Sequence, residues 1–188
     1  MRLFVAVELP DLLRERLAAL ITRLSREITG PKWARAEGIH LTLRFLGEVG
    51  EPDLPRLRTA LSAIADNPAH GFEVSVRGLG LFPDKGRPRV LWIGLHEPGD
   101  ALKILQARVE ASVREAGLPG IKREDRSFRP HLTLARFGDA KPSIPIREYV
   151  ERRKNEDLGI LEVSSVTLFQ SVLHPSGAQY KAIQEYRL

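Results

Sequence analysis

The chain has 188 residues, enough for one hydrophobic core of good size or for two small lobes that share an interface. Hydrophobic residues make up 43% and charged residues 28%, a balance that is typical of a globular protein and excludes a disordered or fibrous one. Because there is no cysteine, disulfides, thiol catalysis and cysteine-based zinc sites are excluded. The net charge of +5 favours an anionic partner such as nucleic acid.

The sequence gives no sign of a membrane segment. No apolar run approaches the roughly 18 to 20 residues that cross a bilayer. The N-terminal stretch MRLFVAVELPD carries one arginine and about seven apolar residues before a proline, which predicts a short strand rather than a signal peptide. We therefore expect a cytoplasmic location. Separately, we expect the protein to be a monomer.

The first half of the chain predicts the order strand, helix, strand, helix, strand. Apolar residues alternate in the predicted strands and recur at helical spacing in the predicted helices. These elements are strands at 2–8, 39–46 and 72–82 and helices at 11–28 and 52–66.

The second half repeats this order after a turn-rich segment at 83–88. Its elements are strands at 89–95, 131–136 and 159–173, helices at 100–117 and 146–155, and a final strand at 179–188. A period near 90 residues is too long for a solenoid and indicates duplication of a small α+β lobe. We expect one domain over 1–188, with lobes built from 1–82 and 89–188 and a cleft between them.

One motif occurs in both halves. HLTLRFLG begins at His40, and HLTLARFG begins at His131, 91 positions later. Since residues two apart share a face of a strand, each copy should present one imidazole and one hydroxyl, from His40 with Thr42 and from His131 with Thr133. The intervening apolar positions should anchor each strand on its other face, and they are Leu41, Leu43, Phe45, Leu132 and Leu134.

Two histidines across a cleft suit general acid and general base catalysis, because their ordinary pKa lies near 6.5. Cleavage of a phosphodiester needs both functions on opposite sides, and the threonines could donate hydrogen bonds to the phosphate oxygens. Such a site needs no metal. A single His-x-Thr strand would most often be structural, but its recurrence at matching places favours function. A zinc site is the weaker alternative, because no His-x₃-His pair or adjacent carboxylate cluster would complete it.

At these residues the chain resembles the 2H phosphoesterase superfamily, and within it the RNA 2′,3′-cyclic phosphodiesterases that are also described as 2′-5′ RNA ligase-like. The resemblance spans the whole chain and includes RLFVAVELP, HLTLRFLGEV, GLGLFPDKGRPRVLWIGL, FRPHLTLAR and VTLFQSVLHPSGAQY. It implies a LigT-like bilobal α+β fold, with two pseudo-symmetric lobes, each an antiparallel sheet with two helices, and both motifs in the cleft between them.

The resemblance also implies the reaction, which is hydrolysis of a terminal 2′,3′-cyclic phosphate on RNA to a 2′-phosphate, without a cofactor. His40 would be the proton donor and His131 the proton acceptor, while Thr42 and Thr133 would bind the phosphate. The near symmetry of the two motifs means that the residues alone do not assign acid and base. The implied partner is RNA with a cyclic phosphate end, including tRNA fragments, and reverse 2′-5′ ligation at the same site is a further expectation.

Four further residues are candidates for RNA binding. By alternation Arg44 should share the strand face of His40 and Thr42, where it could contact a phosphate or could simply be solvated at a strand end. Arg129 should share a face with His131, and the same alternatives hold for it. Trp33, next to Lys32, could stack on a base, as could Phe82, although an aromatic residue at such a place is more often part of the core.

Two other functions stay open. The chain could be an RNA-end binding protein without turnover, or a 2H phosphoesterase that acts on another small cyclic or 2′-5′ phosphodiester.

Overall fold

The computed structural model describes residues 1–65, 71–97, 100–121, 124, 127–139, 142–174 and 177–188. Within these residues the strands are β1 (Arg2–Val7), β2 (Lys32–Trp33), β3 (Leu41–Glu48), β4 (Phe72–Phe82), β5 (Val90–His96), β6 (His131–Arg136), β7 (Asp157–Val163), β8 (Ser165–His174) and β9 (Gly177–Arg187). The helices are α1 (Asp11–Glu27), α2 (Leu54–Ser62), α3 (Ala101–Glu115) and α4 (Ile146–Glu151).

The strands form two antiparallel sheets. One has four strands in the order β3-β1-β8-β9, and the other has five in the order β2-β6-β5-β4-β7. Helices α2 and α3 contact the four-stranded sheet through β9 and β3, and α1 and α4 contact the five-stranded sheet through β7 and β4. The expected bilobal α+β fold, with two helices for each antiparallel sheet, is therefore confirmed.

The two sheets do not follow the two halves of the chain. Strand β4 belongs to the first half but pairs with β5 and β7, while β8 and β9 belong to the second half but extend the sheet of β1 and β3. The expected lobe bounds of 1–82 and 89–188 therefore do not describe the sheets. The repeats interleave, because each half supplies strands to the sheet of the other.

Local differences from the predicted elements follow from this topology. The single strand predicted at 159–173 is two strands, since β7 pairs with β4 in one sheet and β8 pairs with β1 in the other, and the chain changes sheet at Ser164. The two-residue strand β2 was not predicted. The helix predicted at 52–66 is a 3₁₀ turn at Glu51–Asp53 followed by α2, and residue 66 lies outside the described residues.

The helices form for the reason that the sequence predicted, because each has one apolar stripe. In α1 this stripe is buried and consists of Leu13, Leu17, Leu20, Ile21 and Leu24. The stripes and the inner faces of the sheets belong to one large hydrophobic cluster. No helix in the described part of the chain is long and apolar enough to cross a membrane.

Candidate active site

Both motif strands carry a β-bulge at the fourth residue of the motif. In β3, Thr42 lies opposite Ala6 but Arg44 lies opposite Val5, so Leu43 is the extra residue. In β6, Thr133 lies opposite Trp92 but Ala135 lies opposite Leu91, so Leu134 is the extra residue. A bulge of this kind reverses which side chains share a face beyond it.

The bulges place the fourth residue after each histidine in the interior and the fifth in the cleft. Arg44 therefore lies on the buried face of β3, and Ala135, the equivalent residue of the second motif, lies on the buried face of β6. The cleft positions are occupied by Phe45, which is 52% exposed, and by Arg136. The expectation that Phe45 anchors the core face is wrong, because simple alternation does not continue through a bulge.

Arg44 is buried and its charge is balanced by two carboxylates. Its side chain is 5% exposed, its Nε lies 2.6 Å from Glu110 Oε2, and its Nη1 lies 3.8 Å from Glu124 Oε2. Its Nη1 also donates to the carbonyl oxygen of Phe45 at 3.1 Å. The alternative of a solvated arginine at a strand end is wrong, because the side chain is buried in an ion network. Part of Arg44 still borders the cleft, and its contact with RNA stays a prediction.

The two histidines are held by the same backbone contact. Nδ1 of His40 lies 3.0 Å from the carbonyl oxygen of Gly38, and Nδ1 of His131 lies 2.7 Å from the carbonyl oxygen of Arg129. In both cases the partner is two residues earlier in the chain. A carbonyl oxygen can only accept, so Nδ1 donates its proton and Nε2 is the ring nitrogen that can exchange a proton with a substrate.

Aromatic rings surround both imidazoles. Phe4 stacks on His40 with centroids 4.6 Å apart, and Tyr180 meets the same ring edge-on at 4.9 Å. Phe82 meets His131 edge-on at 4.9 Å, and Trp92 lies 6.3 Å away. These contacts fix the ring planes and remove water from the imidazoles.

This burial lowers the pKa of both histidines. Loss of hydration lowers the pKa of His40 to about 4; the Gly38 hydrogen bond opposes this shift and the positive charge of Arg14 adds to it. Burial also lowers the pKa of His131, against the hydrogen bond to Arg129 and together with the charges of Arg136 and Arg129. Both imidazoles are therefore predominantly neutral at pH 7 in the free protein.

A cavity of about 700 Å³ connects the two motifs. Thr42 of the first motif and His131 of the second both line it. His40 and Thr133 do not line the cavity themselves. Each belongs to a motif with a residue that does, His40 with Thr42 and Thr133 with His131. Trp33 lies outside the cavity and packs against the hydrophobic core, as the core interpretation of that residue predicted.

Arg129 lies at this cavity in an ion pair with Asp84. Its Nη1 and Nη2 donate to the two carboxylate oxygens at 2.8 and 3.0 Å, and the hydrogen bond from Arg129 lowers the pKa of the Asp84 carboxyl. The guanidinium lies 4.6 Å from the centroid of the Phe82 ring. Contact of Arg129 with RNA stays a prediction, and it would compete with this ion pair.

Sequence reasoning missed two exposed arginines of the cavity, Arg89 and Arg136. One signal was available for Arg136, because the arginine of the motif stands one position later in the second copy than in the first. That offset moves it across the bulge from the interior to the cleft. Among the described residues, no group of three or more His, Cys, Asp or Glu side chains is arranged to hold a metal ion.

Comparisons with known proteins agree with this fold. A family model described as the 2′-5′ RNA ligase superfamily matches residues 10–174. The chain belongs to this superfamily, which confirms the resemblance drawn from its motifs.

Individual relatives cover nearly the whole chain. It is 37% identical over 186 residues to a protein of Archaeoglobus fulgidus named RNA 2′,3′-cyclic phosphodiesterase, with 99% of both chains covered. Its structure is similar to the crystal structure of TT0787 of Thermus thermophilus, with a TM-score of 0.77, 31% identity, and 100% and 98% of the two chains covered. It is also similar to E. coli LigT complexed with 3′-AMP, with a TM-score of 0.76, 25% identity, and 100% and 97% covered.

Proposed function

We propose that this protein hydrolyses the terminal 2′,3′-cyclic phosphate of RNA to a 2′-phosphate by two-histidine acid–base catalysis that needs no metal. The observation that carries the proposal is that His131 of one motif and Thr42 of the other line a single cavity. The name of the Archaeoglobus relative and the 3′-AMP complex of LigT support RNA ends as the substrate class.

The proposed reaction is one in-line displacement. Nε2 of His131 takes a proton from water as the water oxygen bonds to phosphorus, the bond from phosphorus to the 3′-oxygen breaks, and His40 gives a proton to that oxygen. The 2′-phosphate remains on the ribose. The assignment of His40 as donor and His131 as acceptor comes from the resemblance to the family. Because the free protein holds both rings neutral, the negative charge of the bound phosphodiester must raise the pKa of the donor.

Three side chains are suited to the phosphate oxygens. By strand alternation Thr42 and Thr133 share a face with the histidine two residues earlier, and the bulge at Leu134 returns Arg136 to the face of Thr133. A guanidinium can donate two parallel hydrogen bonds to a phosphate, which stabilises charge that grows in the transition state.

The opposite wall of the cavity suits a nucleobase. At the position equivalent to Arg136, β3 presents the exposed ring of Phe45, with the Phe4 ring 5.9 Å away. Aromatic faces stack on any base. A base on this wall brings the nucleoside towards β3, the strand that follows His40, which agrees with His40 protonating the 3′-oxygen.

Turnover of a nucleoside 2′,3′-cyclic phosphate in excess EDTA tests the proposal. We expect the wild type to be active, and His40→Ala and His131→Ala each to lower kcat by a factor of roughly 10² to 10⁴, the usual effect of removing a general acid or base. His174→Ala is the matched control, because that histidine is exposed and lies outside the cavity, and it should keep full activity. Loss of turnover on chelation, or full activity of either motif variant, would contradict the mechanism.

The alternatives give different outcomes in the same assay. A binding protein without turnover would bind cyclic-phosphate ends with strong salt dependence while no reaction was measurable. A phosphoesterase for another diester would leave the cyclic end intact and open a 2′-5′ linkage or a small cyclic nucleotide. Reverse 2′-5′ ligation, tRNA fragments as substrates, a monomeric state and a cytoplasmic location stay predictions.

A further inference from the structure

Three exposed cations lie side by side at one end of the five-stranded sheet, two of them on β2 and β6 and the third immediately before β5. Lys32 of β2 lies opposite Arg136 of β6, and Arg136 lies opposite Val90 of β5, the neighbour of Arg89. Neighbouring strands are about 4.8 Å apart, so this row crosses about 10 Å of the sheet. Arg89 and Arg136 line the cavity and Lys32 does not, so the row leads from the cavity to the outer surface at the sheet edge.

These cations differ from other arginines nearby, which protein groups already engage. Arg147 donates to the carbonyl oxygens of Pro83 and Asp84, and Arg87 donates to that of Gly138. By contrast, within the described part of the chain, the side chains of Lys32, Arg89 and Arg136 make no hydrogen bond or ion pair. Their full positive charge faces solvent.

The two walls of the cavity therefore differ in charge. The wall formed by β3 presents the phenyl ring of Phe45, and its arginine is paired with Glu110 and Glu124. The wall formed by β5 and β6 is cationic and continues onto β2. An RNA end has the same asymmetry, with an apolar base face on one side and a chain of phosphates on the other.

We infer that Lys32 and Arg89 bind the phosphates of the nucleotides that precede the terminal one, so that this edge of the sheet is a binding track for single-stranded RNA. The inference rests on the proposed function, because it takes the terminal phosphate to lie between the two motifs. The track makes the enzyme prefer an RNA oligonucleotide to a cyclic mononucleotide, which has no upstream phosphate to bind.

Lys32→Ala, Arg89→Ala and the double variant test the track against two substrates, adenosine 2′,3′-cyclic phosphate and an eight-nucleotide RNA with a cyclic phosphate end. We expect each substitution to lower kcat/KM for the RNA roughly 5- to 10-fold more than for the mononucleotide. The salt dependence should change as well. The slope of log kcat/KM against log salt concentration for the RNA should become shallower by about 0.7 for each phosphate contact removed.

Lys181→Ala is the matched control, because this exposed lysine lies on β9 of the other sheet, and it should leave both substrates and the salt slope unchanged. Equal losses on the two substrates, or an unchanged salt slope for the RNA, would overturn the inference. Fluorescence anisotropy with the same RNA bearing a 2′-phosphate provides a readout without turnover. If the wild type hydrolysed neither substrate, the proposed function would fail, while weaker RNA binding by the double variant alone would still support the track.

Discussion

His40 and His131 are prepared for proton transfer by contacts close to them in the chain. Each donates Nδ1–H to a carbonyl oxygen two residues earlier, which leaves Nε2 for the substrate. Each also lies against aromatic rings that remove water from it, and this raises the free energy of the protonated form. In the free protein both rings are therefore mostly unprotonated at Nε2, so each can accept a proton there, and the bound substrate must raise the pKa of the ring that acts as the acid.

This account predicts how the His40 titration responds to an anion. In the free protein the His40 ring should titrate near pH 4, because burial disfavours its charged form. Adenosine 2′-phosphate should raise that pKa by roughly one unit or more, because a negative charge within about 4 to 6 Å favours imidazolium. An NMR titration of the ring protons measures both values. Adenosine, which lacks the phosphate, should leave the pKa of His40 unchanged. An equal shift of this pKa by both ligands would contradict the account.

The motif strands show which part of the site a sequence can predict. The pairing of His40 with Thr42 and of His131 with Thr133 followed from strand alternation, because these residues precede the bulges at Leu43 and Leu134. Beyond the bulges alternation gave the wrong faces for residues 44 and 45. A bulge depends on the strand that lies alongside, so no pattern within the motif itself reveals it.

Close packing between β4 and β5 holds the ring of Trp92 beside His131. A Cβ atom added at Gly80 would lie 2.1 Å from the nearest atom of the Trp92 indole, so the ring occupies the space that any side chain at 80 would need. Gly80→Ala should displace Trp92, lower the free energy of unfolding by about 1 to 3 kcal/mol and reduce turnover. Urea unfolding and the cyclic phosphate assay measure the two effects.

Gly138→Ala provides the control for this substitution. A Cβ at Gly138 would meet no atom within 4 Å, so the same chemical change should alter stability by less than about 0.5 kcal/mol. Equal urea midpoints for the two variants would show that Trp92 can move away from residue 80 without loss of stability. This result would contradict the claim that packing at Gly80 holds the Trp92 ring in place.

In the whole molecule, two interleaved repeats build one site with unlike walls. The order of helices and strands and the duplication could be read from periodicity, but the exchange of β4 and β8 between sheets could not. Strand pairing over such distances is decided by which apolar faces meet, and both arrangements satisfy the same local pattern. Because of this exchange, Phe82 of β4 lies against His131 and Phe169 of β8 lies near His40. Each half of the chain therefore supplies an aromatic neighbour to the histidine of the other half.

Phosphorus NMR of the products from a short RNA with a 2′,3′-cyclic phosphate end, incubated with the protein in excess EDTA, tests the central claim most directly. If water attacks from the side of His131 and the 3′-oxygen leaves on the side of His40, the spectrum will show only the 2′-phosphomonoester. A 3′-phosphomonoester, a mixture of the two, or an unopened cyclic phosphate would contradict the proposed arrangement of acid, base and substrate.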